Sequence, residues 1–225
     1  MSRRAATVAA PLTPERARAR ELQRAAAELF FTKGYEAATI REIARALGIK
    51  SSSLYYHWDN KETILFDLIR STMEQLVAGA KSVLERETSP DRRLAGLVVH
   101  HVFLHALRPQ EATLGETELR SLTGPRLRKT LRTRDDYESL VIGVLDEGAS
   151  EGLFEILDPK LTAYSIISQC TNVGIWFRPD GRLSLDEVAA VYANFALRTA
   201  GAPELPASSI APLAADARAF HEVWS

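Results

Sequence analysis

Apolar residues recur along this chain at three- and four-residue intervals and nowhere alternate over a useful length, so the pattern predicts helices and no strands. Leu22, Ala25, Ala26, Leu29 and Phe30 form one stripe. Thr13-Pro14 supplies a capping hydroxyl and a proline suited to the first helical position, and Lys33-Gly34 supplies the stop. Thr39-Ile-Arg-Glu42 has the form of a capping box and opens a short helix with Ile40, Ile43, Ala44 and Leu47 on one face, broken at Gly48. Ser51 to Trp58 reads as a third short helix, with Leu54 and Trp58 one turn apart and facing inward. Asp59-Asn-Lys-Glu62 can cap a long fourth helix, whose stripe runs from Ile64 and Leu65 through Met73 and Leu76 to Val83.

Further along, Ser89-Pro90 starts a helix that Arg108-Pro109 stops. A short polar stretch over residues 111–122 is expected next, then a helix from Gly124-Pro125 to Ala149 that ends near Gly152. Asp158-Pro159 opens a segment that is apolar on almost every side as far as Phe177, the pattern of a helix buried in a core or an interface. Ser184-Leu-Asp-Glu187 is a second capping box, before a helix lined by Leu185, Val188, Val191, Tyr192 and Phe195. Beyond Gly201 the Ala-, Pro- and Ser-rich stretch reads as a flexible tail, with Phe220, Val223 and Trp224 as its possible docking points.

Composition narrows the function. The chain has 225 residues, 46% hydrophobic and 25% charged, and a formal net charge of -1, which is ordinary for a globular protein and excludes disordered and fibrous classes. No apolar run approaches the ~18 residues of a membrane span. The first ten residues are short, Ala-rich and soon followed by charge, and read as a disordered cytosolic arm and not as an export signal, so the expected location is cytoplasmic. Cys170 is the single cysteine, which excludes an internal disulfide framework. The near-neutral total hides an asymmetry. Residues 1–61 carry 11 basic and 6 acidic side chains, a net of +5, whereas residues 62–225 carry 17 and 23, a net of -6. A basic segment on an acidic body can face a polyanion.

The informative constellation lies between residues 22 and 61. Three short helices, the second and third joined across Gly48-Ile49, make a helix-turn-helix pattern. A helix fits the B-DNA major groove, and the helix before it braces the approach. The outer face of the third helix offers Ser51, Ser52, Ser53, Tyr55, Tyr56 and His57: small hydroxyls that permit close approach and rings that reach phosphate oxygens. Lys61 can add a charge contact. A trio that merely begins a helical core would explain Leu22, Phe30, Ile43, Leu47, Leu54 and Trp58, but not that polar and aromatic face.

Thr39, Ile43-Ala44, Leu47-Gly48-Ile49, Leu54-Tyr55, His57 and Lys61-Glu62, at these spacings, are similar to the DNA-binding signature of the tetracycline-repressor (TetR/AcrR) family. The resemblance implies that Thr39 caps the second helix and contacts phosphate, that Arg41 sits at the mouth of the groove, that Ser52 and Ser53 approach bases, and that Tyr55, Tyr56, His57 and Lys61 grip the backbone. Trp58 replaces the family's usual phenylalanine. Lys50 stands where the family often has a capping serine, so either Ser51 caps instead or Lys50 touches phosphate. The expected fold is all-α with about nine helices: a disordered arm over 1–13, a helix-turn-helix DNA-binding domain over 14–60, a ligand-binding and dimerisation domain over 61–200, and a flexible or docking tail over 201–225.

One such reader contacts few base pairs, so a homodimer on an inverted-repeat operator in double-stranded DNA is expected. The apolar helices near 159–177 and 184–198 suit an intersubunit four-helix bundle, and the resemblance places the interface there, with candidates Ile167, Cys170, Gly174, Val188, Val191, Tyr192 and Phe195. The family's middle helices enclose a cavity for a small-molecule effector, here with candidates Phe103, Leu107, Glu118, Leu122, Tyr137, Val141, Val144, Thr171, Asn172 and Trp176. That lining suits a lipophilic effector. A second resemblance, carried by Tyr137, Glu147-Gly148, Gly152-Leu-Phe154, Asp158-Pro159 and Trp176-Phe-Arg-Pro179, is to family repressors of lipid and sterol catabolism, some of which respond to acyl-coenzyme A thioesters. Arg93, Arg108, Arg120, Arg126, Arg128 and Arg178 are the cations such a ligand's phosphates would need.

Other classes find little support. The chain has no Gly-rich phosphate loop, no G-x-S-x-G and no H-E-x-x-H, so no catalytic residue and no cofactor is expected. His101 and His105 lie one turn apart, near His100, but no carboxylate completes a metal-ligand set in their helix. The alternative is a helical protein-interaction adaptor, which would show no salt-dependent binding to duplex DNA.

Overall fold

A computed structural model describes residues 14–223, with side chains from Arg18 onward. The expected arm, the Thr13 cap and Trp224 lie outside those residues. Among the described residues every regular element is helical: α1 (Pro14–Lys33), α2 (Ile40–Ala46), α3 (Ser51–His57), α4 (Lys61–Arg86), α5 (Pro90–Leu107), α6 (Pro109–Thr117), a 3-10 turn (Leu119–Ser121), α7 (Gly124–Ser150), α8 (Pro159–Thr171), α9 (Val173–Trp176), α10 (Leu185–Thr199) and α11 (Ala207–Val223). None of these helices is long and apolar enough to cross a membrane.

The first three helices close on a small core of Leu22, Phe30, Ile43, Leu54 and Trp58. Gly48 turns the chain between α2 and α3 with φ +64, the left-handed region that glycine enters without a Cβ clash. The α4 helix belongs to both halves. It packs on α1 of the first half and on α5, α6 and α7 of the second. The second half is built around α5, which is buried along most of its length and covered by α4, α7, α8, α10 and α11.

Two expectations need correction, and a third divides between two readings. Residues 111–122 are not simply a polar stretch, because Pro109 opens α6 from its first position and Ala112, Leu114 and Gly115 turn inward. So few inward positions leave no legible stripe. The apolar segment 159–177 is two helices, broken at Asn172, whose amide donates back to the Ser168 carbonyl at 2.8 Å. Beyond the break, a Cβ on Gly174 would lie 2.9 Å from the His105 carbonyl oxygen, so glycine here lets α9 approach α5. Of the two readings of the tail, its described part takes the docked one. It forms α11, which buries Ile210, Leu213, Ala214, Ala217 and His221. Asn194 fixes its approach by bonding the Leu205 backbone in both directions, at 3.0 and 3.1 Å.

Candidate nucleic-acid interface and sensor cleft

The Thr39 capping box forms as its spacing requires. The Glu42 amide donates to Thr39 Oγ1 at 3.3 Å, and the Thr39 amide donates to Glu42 Oε2 at 3.0 Å. The Thr39 hydroxyl also donates to Glu42, at 2.9 Å, so its proton is already engaged in the cap. A bond from Lys33, then one from Thr39, holds the Glu42 carboxyl below its ordinary range. At α3, Lys50 occupies the cap position and its side chain makes no cap bond. Ser51 is the first helical residue and does not cap in its place. Lys50 is therefore left exposed, as is Arg41 on α2.

Leu54 and Trp58 anchor α3 inward at 0% and 5% exposure. Ser52, Ser53, Tyr55, Tyr56 and His57 point outward, with Tyr56 87% exposed and edge-on to His57 at 5.3 Å. Lys61 is not a free charge on this surface. Its ammonium is half-buried, donates to the carbonyls of Tyr35 at 2.8 Å and Glu36 at 3.0 Å, and sits 4.3 Å from the centre of the Tyr35 ring. It braces α4 against the loop between α1 and α2. The next residue holds the other half of the protein. Glu62 accepts from the Thr123 amide at 2.8 Å and from Arg126 at 3.2 Å, at the start of α7.

A cleft of about 300 Å³ opens between α5, α6, α7 and α8, lined by His105, Thr113, Glu116, Arg134, Ile167, Ser168, Thr171, Asn172 and Ile175 among others. An inner pocket of about 30 Å³ continues it, past Met73 and Leu76 of α4 to His101, Tyr137 and Glu138. Arg134 of α7 pairs with Glu116 of α6 at 3.1 Å across this space. The Thr171 hydroxyl donates to the Ile167 carbonyl at 2.9 Å, so it accepts from His101 Nε2–H at 3.2 Å. His101 Nδ1 is then the acceptor for the Tyr137 hydroxyl at 2.9 Å. His105 stacks on His101 with centroids 4.5 Å apart.

Burial pushes His105 down to about 4 and His101 well below its ordinary value, so both rings are neutral near neutral pH. On the α11 side, burial likewise lowers His221 to about 4 and His100 to about 3. The unfolded chain takes up these protons near pH 6.5 and the folded chain only near 4, so stability falls as pH drops through that window. Unfolding free energies from urea titrations at pH 7, 5.5 and 4.5 are expected to decline steadily, by a total on the order of a few kcal/mol.

Of the sequence-derived ligand residues, Tyr137, Thr171 and Asn172 line this space. Leu122, Val141 and Val144 are core residues at 1–2% exposure. Phe103 is fully buried on the opposite side of α5, against His221 and Arg218. Leu107 lines a separate groove with Arg24 and Arg108. Glu118 accepts from Ser121 within the 3-10 turn, and Trp176 lies on the outer surface stacked on Tyr192. Helical spacing identified inward residues but could not tell core from cavity. Met73 and Leu76 read only as part of the stripe of the fourth helix, and Thr113, Glu116 and Arg134 carried no signal in the spacing.

The proposed cations also change. Arg93 is bonded to Glu147 at 2.6 Å, Arg126 to Glu62, and Arg178 to the Phe177 carbonyl at 2.8 Å, whereas Arg134 is the arginine in the cleft. Among the interface candidates, Cys170 and Val188 are 2% exposed and belong to the protomer's own core, beyond a partner's reach. Ile167 lines the cleft, and Gly174 packs on α5. Tyr192 and Phe195 do lie together on an outer face with Trp176, and Val191, Leu161, Tyr164 and Ile175 are exposed apolar residues of the same helices. That face is large, apolar and uncovered in the single chain, where Ile175 is 65% and Trp176 48% exposed.

Comparison with known proteins agrees with this geometry. Residues 22–68 match the family model for bacterial regulatory proteins of the tetR family, and residues 87–200 match that for the tetracyclin repressor-like C-terminal domain. The HTH-type transcriptional repressor KstR2 of Mycolicibacterium smegmatis is 31% identical over 188 residues, covering 81% of this chain and 91% of that protein. A tetR-family regulatory protein from Rhodococcus RHA1 superposes with a TM-score of 0.77 at 29% identity, over 82% of this chain and 97% of that one. AibR, solved with isovaleryl coenzyme A and operator DNA, superposes with a TM-score of 0.71 at 26% identity, over 79% and 97%.

Proposed function

The chain belongs to the tetR family of bacterial regulatory proteins, and on that premise we propose that it is a dimeric cytoplasmic repressor that an acyl-coenzyme A thioester releases from an inverted-repeat operator. The observation that carries the reading is the outer face of α3, where three serines, two tyrosines and a histidine surround a helix anchored by two buried residues. Ser52 and Ser53 approach base edges, while Tyr55, Tyr56, His57, Lys50 and Arg41 hold phosphates. Lys61 acts indirectly, by fixing the loop that precedes α2.

The effector occupies the cleft between α6, α7 and α8. The name of the AibR complex supports an acyl-coenzyme A ligand, and Arg134 is the cation at the cleft, which the ligand's anionic part would take over from its partner Glu116. Three walls of the cleft lead to the reader. The α6 helix packs on α1, α4 carries Met73 and Leu76, and α7 begins at the Glu62 latch. An effector that binds better when these walls move apart shifts the population toward the DNA-incompetent state.

A duplex enriched by the protein from a random pool provides the probe. Bound in low salt, it should be displaced by one member of an acyl-coenzyme A series and not by coenzyme A alone. Displacement by none of them would remove the proposed effector class. Glu62→Ala is expected to leave affinity for the duplex within about threefold but to reduce the effect of that thioester on it by about fivefold, because coupling of this kind is worth on the order of 1 kcal/mol. Titrations with and without saturating thioester measure it. Unchanged coupling would take the latch off the path.

A further inference from the structure

The third helix is only seven residues long, and Leu54 and Trp58 are its inward anchors. Apolar contact holds such a helix against its neighbours but leaves its direction loosely set, since burial has no preferred angle. Trp58 adds a directional element. Its indole nitrogen donates to Asp67 Oδ2 on α4 at 2.8 Å. Asp67 is itself held, because Arg70 Nη2 donates to its other oxygen at 3.0 Å and Arg70 also reaches Glu74 at 3.3 Å. The acceptor is a carboxylate, partly buried and fixed by a second bond from an arginine, which makes this a strong hydrogen bond in a restrained geometry. Phenylalanine, usual at this position in proteins this chain resembles, would fill much of the same space but donate nothing.

We propose that Asp67 is a positioning residue for DNA recognition, setting the direction of α3 through the Trp58 indole and making that helix follow movements of α4. The proposal rests on the reading of α3 as the recognition helix. Asp67 touches no DNA in this scheme. Its effect is on the precision with which Ser52 and Ser53 meet base edges, and base contacts tolerate misplacement less well than phosphate contacts do. The same bond shortens the path from the sensor. Met73 and Leu76 lie on α4 beyond Asp67 and line the inner pocket, so a shift of α4 there is carried to α3 by a rigid link and not by contact alone.

The test compares full-length wild type with Trp58→Phe, Asp67→Leu and Asp67→Asn. The probes are the duplex enriched by wild type and an unrelated duplex of equal length. Trp58→Phe and Asp67→Leu are expected to bind the enriched duplex about tenfold more weakly and the unrelated duplex within about twofold, as loss of one charge-assisted bond and no phosphate contact predicts. Asp67→Asn keeps an acceptor oxygen and should restore most of the affinity. In ¹⁵N-labelled protein, the Trp58 indole N–H resonance should move upfield and exchange faster in Asp67→Leu, and stay near its wild-type position in Asp67→Asn. Wild-type binding of the enriched duplex by Trp58→Phe and Asp67→Leu would overturn the proposal. So would equal losses on both duplexes, which mark a general structural defect. Failure of wild type to enrich any duplex would instead overturn the recognition-helix reading itself.

Discussion

Glutamate at both Trp176 and Phe195 is expected to give a folded monomer that has lost tight binding to an inverted repeat. Trp176 is 48% and Phe195 38% exposed, and both belong to the uncovered face of α8, α9 and α10. Neither supports the protomer's core, so a charge there leaves the fold intact while opposing burial against a second copy. Tyr192 stacks on Trp176 at 6.2 Å and meets Phe195 at 5.7 Å, so the two substitutions strike one continuous aromatic patch. The consequence for DNA follows from linkage. Two readers held together engage the second half-site at high effective concentration, and losing that advantage weakens binding on the order of a hundredfold to ten-thousandfold. Sedimentation equilibrium gives the mass, and gel shifts on the enriched duplex give the affinity. A double variant that stays dimeric would place the interface elsewhere.

Ser53→Glu is expected to abolish duplex binding, by about a thousandfold or more at low salt, with no loss of stability, because it sets a carboxylate against the phosphate field. Ser53 is exposed and is the third residue of α3. Acidic side chains in the first turn suit the positive end of the helix dipole, so the variant should melt at or slightly above the wild-type temperature. The separation is the purpose of the substitution. Tyr56→Ala should fall between the two, since it removes one backbone grip and leaves the bases accessible. Unaltered DNA binding by Ser53→Glu would mean that the outer face of α3 does not enter the groove.

The reader was largely legible in the sequence and the sensor was not, for physical reasons visible at single residues. Thr39, Glu42, Gly48, Leu54 and Trp58 each satisfy a local demand: a cap, a left-handed turn or an inward anchor. Local demands leave their mark within a few positions. Lys61 shows the limit, because a lysine at the start of α4 reads as a free charge until the carbonyls of Tyr35 and Glu36 are seen to hold it. The cleft depends on long-range packing. Glu116 and Arg134 meet from different helices, and Ile167 turns toward them while Ile166, one residue earlier, is core. In a segment as uniformly apolar as 159–177, periodicity carries no phase, so the outer face with Leu161, Tyr164 and Ile175 could not be separated from the inner one with Cys170. The tail is ambiguous in sequence for a different reason. Its alanines are good helix formers, but Pro206, Pro212 and three serines or glycines nearby signal a loop unless the groove that receives Ile210 and Leu213 is known.

The central claim is that two copies of α3 read two halves of one site. Selection from a random duplex pool by the full-length protein, sequenced after several rounds beside a Ser53→Glu control, tests it most directly. The account predicts an inverted repeat whose half-sites lie about one helical turn apart, some 34 Å, enriched by wild type and absent from the control. Enrichment of the same sequences by both proteins, or of no duplex by folded wild type at low salt, would contradict it.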